Sequence, residues 1–168
     1  MIGVYGALVL AAAAVIQSTL LPAAAVAGVT PDLVLVVLVF VAQRNGVMTG
    51  QTCGFVAGLV VDAMGLAPLG FYALSYTVIG AAVGATRGKV FVDPIVMPFV
   101  FIVAAMVVKG VIGFLVAWLF GIAGVAPRVF SGAYLIEIAY SGLLAPVLFG
   151  LLGLAKWLRP DRRRGEIA

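Results

Sequence analysis

Four ionisable side chains stand in stretches that are otherwise almost wholly apolar. They are Asp32 in "TPDLVLVVLVFVA", Asp62 closing "GFVAGLVVD", Lys109 in "FIVAAMVVKGVIGFLVAWLF" and Glu137 in "GAYLIEIAYSGLL". Charges at membrane depth can pair with one another, relay a proton or ion, or serve as acid and base on a substrate. The chain has no histidine and a single cysteine, Cys53, in an apolar run. Ser-His and Cys-His catalysis are therefore impossible within it. No phosphate loop, metal-ligand cluster or nucleophile motif appears, so no cofactor is expected. Pairing is the simplest use left. A mid-span lysine costs about 2.5–3.5 kcal/mol on the insertion scale, which calls for a partner. Lys109 is expected to pair with Glu137, with Asp62 as a further candidate. It lies about 8 Å deeper than Glu137 on a helical rise, a gap its long side chain largely closes. For Asp32 the expected role is the cap of a helix, and Asp62 has a competing role as acceptor for turn backbone in "DAMGLAPLG". A proton or ion relay is the alternative, but three acids and one lysine at mixed depths give it no specific signature.

What positions these residues follows from composition. Of 168 residues, 65% are hydrophobic and only 10% charged, against roughly 25% charged in a soluble domain. Too little polar surface exists to cover a water-facing fold, so the solvent is lipid. A spanning helix needs about 20 mostly apolar residues, and six such segments use most of the chain. The expected fold is all-α, a polytopic bundle of six transmembrane helices over residues 1–157, followed by a basic tail at 158–168.

The spans are expected at about Val4–Leu21, Thr30–Ala42, Val47–Met64, Phe71–Thr86, Ile95–Phe120 and Ala133–Trp157. No Lys or Arg precedes Arg44, so the first segment lacks the positive start of a cleaved signal and reads as a retained helix. In "TPDL", Thr30 suits a cap, Pro31 the first helical position and Asp32 the positive end of the helix dipole. Asp93 and Pro94 repeat the cap pattern before the fifth span, and Pro146 predicts a kink in the sixth.

Lys and Arg placement sets orientation. With six spans, Arg44, Arg87, Lys89, Lys156, Arg159, Arg162, Arg163 and Arg164 share one side, and only Arg128 lies on the other. Both termini are therefore expected in the cytoplasm, with Trp157 at the interface. The net charge of +4 has a topological meaning here and does not point to nucleic acid. The tail serves topology first. As a polybasic patch it would also attract anionic lipid, at about 1 kcal/mol per residue.

Gly46, Gly50, Gly54 and Gly58 recur at every fourth position of the third span. Residues four apart share a helix face, so they form a stripe of bare backbone. In lipid, helices associate by close packing rather than by a hydrophobic drive, and small residues permit it. Gly80, Gly84 and Gly88 repeat the device in the fourth span, and Gly3, Ala7 and Ala11 do so weakly in the first. The stripe predicts a close crossing, with a helix of the same chain favoured over a partner's helix.

"TPDL" (30–33), "GQTCGFVAGLVVDAMGLAPLGFYALSYTVIGAAVG" (50–84) and "YSGLLAPVLFGLL" (140–152) together resemble the MreD family of bacterial rod-shape-determining membrane proteins. The matching motif positions are Pro31, Gly50, Gly54, Gly58, Asp62, Gly65 and Gly70, while Ser141 stands where family members often carry Asn. The resemblance implies six helices in the bacterial cytoplasmic (inner) membrane, with a fold similar to the substrate-binding subunits of energy-coupling-factor transporters. It also implies a non-enzymatic scaffold of the cell-elongation machinery. The implied partners are the MreC transmembrane helix and, through it, MreB, RodA and a class B penicillin-binding transpeptidase. The alternative is a vitamin-binding subunit of such a transporter, suggested by the small-residue face of "GALVLAAAA" (6–14). That role needs convergent polar groups in a pocket, and outer-facing polar residues are sparse in the sequence.

Overall fold

The computed structural model describes residues 2–19, 21–25, 28–65, 69–88, 96–121 and 131–154, and these contain six α-helices and no strand. They are α1 (Ile2–Thr19), α2 (Leu33–Asn45), α3 (Val47–Met64), α4 (Phe71–Ala85), α5 (Val96–Phe120) and α6 (Gly132–Leu154). A short 3-10 turn, Leu21–Ala24, follows α1.

α2 is the centre of the bundle. Its "LVLVVLVFVA" is apolar on every face, and a helix without a polar face belongs inside. Residues Val34 to Ala42 are all buried, and α2 touches each of the other five helices. Its 13 residues reach only about 20 Å. The N-terminus of this helix therefore starts within the protein, where no bulk water satisfies its free amides.

One residue, Gly46, separates α2 from α3, with φ of 90°. That backbone conformation is open to glycine and strained for other L-residues. α3 then pairs with α4 more extensively than any other two helices do, and glycine is the reason. A β-carbon on Gly50 would strike the carbonyl group of Gly80. One on Gly54 would come within 2.7 Å of the Tyr76 carbonyl carbon, and one on Gly58 would strike the backbone of Ala73. From the other side, a β-carbon on Gly84 would lie 2.7 Å from the backbone of Gly46 and Val47. The two backbones touch directly along the whole hairpin. The stripe is filled from within the chain, so it offers no groove to a foreign helix at this place.

Two of the small-residue patterns are shifted from their expected positions. Gly88 lies past the end of α4 in a turn with φ of 73°, with no atom of the described residues within 4 Å of an added β-carbon. In α1 the buried face is Gly6, Leu10, Ala13 and Ala14, while Ala7 and Ala11 are half-buried. Gly6 is the close contact there, since its β-carbon would sit 3.0 Å from Cys53 Sγ.

Helices α3, α5 and α6 are long and apolar enough to cross a membrane, while α2, α4 and the Tyr5–Thr19 stretch of α1 are shorter apolar helical segments. Large apolar side chains crowd the outside: Leu8, Leu74, Trp118, Leu143 and Leu151 are each more than half exposed. An exterior of this kind suits lipid and not water. α6 continues through Pro146 as one helix, and its described part runs to Leu154. The Asp93–Pro94 cap, Lys89, Arg128, Trp157 and the basic tail lie outside the described residues.

Candidate functional site: a charged cluster at the floor of a polar cavity

The first amides of α2 need acceptors, as at every helix start, and lipid supplies none. The chain supplies them from other helices. Asp32 N donates to Ser141 Oγ of α6 at 3.0 Å, and Val34 N donates to Gln17 Oε1 of α1 at 3.0 Å. Leu33 N reaches the Pro31 carbonyl at 3.2 Å, and Leu35 N reaches Asp32 Oδ1 at 2.9 Å. Asp32 is thus the N-cap of α2. The helix begins at Leu33, two residues later than the placement of Thr30 as cap and Pro31 as first helical residue.

Asp32 does more than cap. It is 1% exposed, and its carboxylate accepts the Tyr76 hydroxyl of α4 at 3.1 and 3.0 Å to its two oxygens. Lys109 Nζ of α5 donates to Asp32 Oδ2 at 2.6 Å and to Glu137 Oε1 of α6 at 3.3 Å. The lysine ammonium also lies 5.4 Å from the centre of the Tyr72 ring, a distance at which a cation is attracted to an aromatic face. Tyr134 of α6 donates to the Met106 carbonyl of α5 at 2.5 Å. Lys109 therefore meets Glu137, but its shorter bond goes to Asp32.

Asp62 stands apart from this cluster, in contrast to its candidacy as a Lys109 partner. Its carboxylate accepts three amides at the start of α4: Gly70 N at 3.0 Å, Tyr72 N at 3.0 Å and Ala73 N at 3.1 Å. Gly70, the residue in the cap position of α4, has no side chain to do this. The acid on α3 caps its neighbour, and a carboxylate at that end is favoured by the helix dipole.

Above Lys109 lies a cavity of about 480 Å³. Gln17, Thr30, Tyr72, Lys109, Tyr134 and Glu137 are among the residues that line it. This overturns the picture of sparse polar groups at that end of the bundle. The polar residues are scattered along the sequence, and only the fold brings them together. Gln17, Tyr72, Tyr76 and Tyr134 were not singled out from the sequence. Their one sequence signal is the 72/76 spacing, which puts both tyrosines on one helix face.

An all-helical bundle with an apolar exterior and with Asp32, Asp62 and Lys109 buried inside it is a membrane protein by architecture. The chain belongs to the MreD family: residues 2–154, nearly its whole length, match the family described as rod shape-determining protein MreD. No curated protein and no solved structure matches the chain. Family membership implies a role in rod-shape determination.

Proposed function

We propose that this protein is a non-enzymatic scaffold of the bacterial cell-elongation machinery, embedded in the cytoplasmic membrane. The observation that carries the reading is the family match over residues 2–154. In it all six helices lie in the membrane, both termini face the cytoplasm, and the fold is of the kind found in energy-coupling-factor substrate-binding subunits. The apolar exterior and the Lys and Arg placement support this arrangement. The scaffold holds the transmembrane helix of MreC. Through MreC it links to MreB, RodA and a class B penicillin-binding transpeptidase, and so helps to position peptidoglycan synthesis.

Because the glycine stripe is occupied by α4, the MreC helix needs another seat. The shallow apolar groove between α4 and α5 suits it best. It is lined by Ile79, Ala82, Val83, Phe101, Ala104 and Val108, among others, and its alanines permit close helix approach. Depleting the protein from its rod-shaped host should round the cells, and Ala82→Phe or Ala104→Phe should reduce co-purification of MreC. Rods that persist after depletion would refute the scaffold. The cavity above Lys109 supports a second reading, a vitamin-binding subunit, and purified protein carrying a stoichiometric vitamin would put that reading first.

A further inference from the structure

The open cavity beside Lys109 has a volume of about 480 Å³, inside the roughly 300–1,000 Å³ range of small-molecule sites. The charges at its floor do not balance. Asp32 is saturated by Leu35 N, Tyr76 and Lys109. Among the described residues Glu137 takes only the longer Lys109 contact, through Oε1. Its second oxygen has no hydrogen-bond partner among the described residues, and the side chain is 23% exposed. Among the described residues one ammonium therefore faces two carboxylates, and the excess negative charge sits on Glu137, at the cavity wall.

The hydrogen-bond inventory runs the other way. Lys109 has three protons, and two are engaged by carboxylates. The Tyr72 hydroxyl, the Gln17 amide nitrogen and the Thr30 hydroxyl, all of cavity-lining residues, make no hydrogen bond among the described residues. A bare anion would suit these donors but would face two carboxylates. A bare cation would suit Glu137 but would leave the donors unused and would face Lys109. We infer that the cavity binds a small zwitterion, its primary ammonium against Glu137 and its oxyanion received by Lys109, Tyr72 and Gln17. Tyr134 also lines the cavity, and an aromatic ring there favours an ammonium. An ethanolamine-type lipid headgroup and a soluble aminophosphate share this chemistry. The inference does not depend on the scaffold reading, since it rests on the cavity alone.

The test uses the full chain. O-phosphoethanolamine is titrated calorimetrically into detergent-purified protein, and lipid retention is read by native mass spectrometry from nanodiscs of phosphatidylethanolamine and phosphatidylglycerol. Saturable binding of the soluble probe assigns the site to a free aminophosphate. Retention of phosphatidylethanolamine over phosphatidylglycerol, without soluble binding, assigns it to a headgroup. In either case Glu137→Gln should weaken binding by about tenfold or more, the loss of a charge-assisted bond. Tyr72→Phe, which removes a hydroxyl without a partner among the described residues, should weaken it several-fold with an unchanged melting temperature. Phosphocholine, whose nitrogen has no proton to donate, should bind more weakly than the ethanolamine probe. Absence of binding in both formats would overturn the inference. So would equal binding of inorganic phosphate, or undiminished binding by a folded Glu137→Gln variant.

Discussion

Replacing Lys109 by methionine leaves the Asp32 carboxylate buried, at 1% exposure, with only the Tyr76 hydroxyl and the Leu35 amide as donors. Removing one partner of a buried pair typically costs about 3–5 kcal/mol, because the other charge is stranded. Asp32→Asn strands the lysine less completely, since Glu137 remains 3.3 Å away. Its expected cost is about 1.5–3 kcal/mol, the range for a lost hydrogen bond to a charged group. Combining the two changes removes both charges, and a buried pair replaced by neutral groups is often close to neutral in stability. The amide oxygen introduced by Asp32→Asn would still accept from Leu35 N. The double variant should therefore be more stable than Lys109→Met alone, with a coupling of at least about 2 kcal/mol. Glu137→Gln is the internal control: its contact with Lys109 is longer and partly exposed, so its cost should stay below about 1 kcal/mol. The assay is equilibrium unfolding by SDS titration in mixed micelles, followed by far-UV circular dichroism. Additivity of the two changes within about 0.5 kcal/mol, or a Glu137→Gln cost equal to that of Asp32→Asn, would refute the reasoning.

Gly54→Leu should destabilise the protein by about 3 kcal/mol or prevent folding, since the added atoms meet Tyr76 backbone that cannot move aside; unchanged detergent stability would refute the crossing. Asp62→Ala should cost about 1–3 kcal/mol, and hydrogen exchange should show the Gly70 to Ala73 amides losing protection before the rest of α4. Ser141→Ala should orphan the buried Asp32 amide at a cost of about 1–3 kcal/mol. Ser141→Asn, whose side-chain carbonyl can accept that amide, should be the more stable of the two in a thermal melt. In a Cys53→Ala background, an impermeant maleimide should label Leu69→Cys from outside the cell and Met48→Cys only after permeabilisation; the reverse pattern would invert the topology.

The sequence made the helices legible because lipid imposes strict terms: long apolar runs, punctuated by Gly, Pro and charge, leave little choice of element. The α3–α4 contact was legible for a related reason, since a four-residue glycine repeat has few uses other than close backbone approach. The partner of Lys109 was less so. Depth along a helix can be counted from a sequence, and it singled out Glu137 for that reason. Which way each helix is rotated cannot be counted, and rotation is what turns Asp32 toward Lys109 and Asp62 away from it. Asp32 also hides its second role behind its first, because a residue in a helix-start pattern already has a sufficient explanation. The cavity was invisible for a further reason. Its polar lining comes from α1, α4, α5, α6 and the segment before α2, each giving one or two side chains that look incidental alone.

Two kinds of contact divide the work of holding this bundle together. Between apolar helices in lipid, the surrounding tails are as apolar as the helix faces, so burial by itself does not select one arrangement. Glycine contacts fix how near α3 and α4 lie, yet backbone stripes slide easily by a turn. The polar bonds at the start of α2 do not slide. Asp32 N needs Ser141, Val34 N needs Gln17, and the Asp32 carboxylate needs Tyr76 and Lys109. Each of these ties a different helix to one point, and slipping any of them by a single residue strands a donor or a charge where no water can rescue it. The central helix is short because its end must stop at that junction. A cavity opening beside the same junction places whatever binds Glu137 in direct contact with the groups that set the register of α1, α4, α5 and α6.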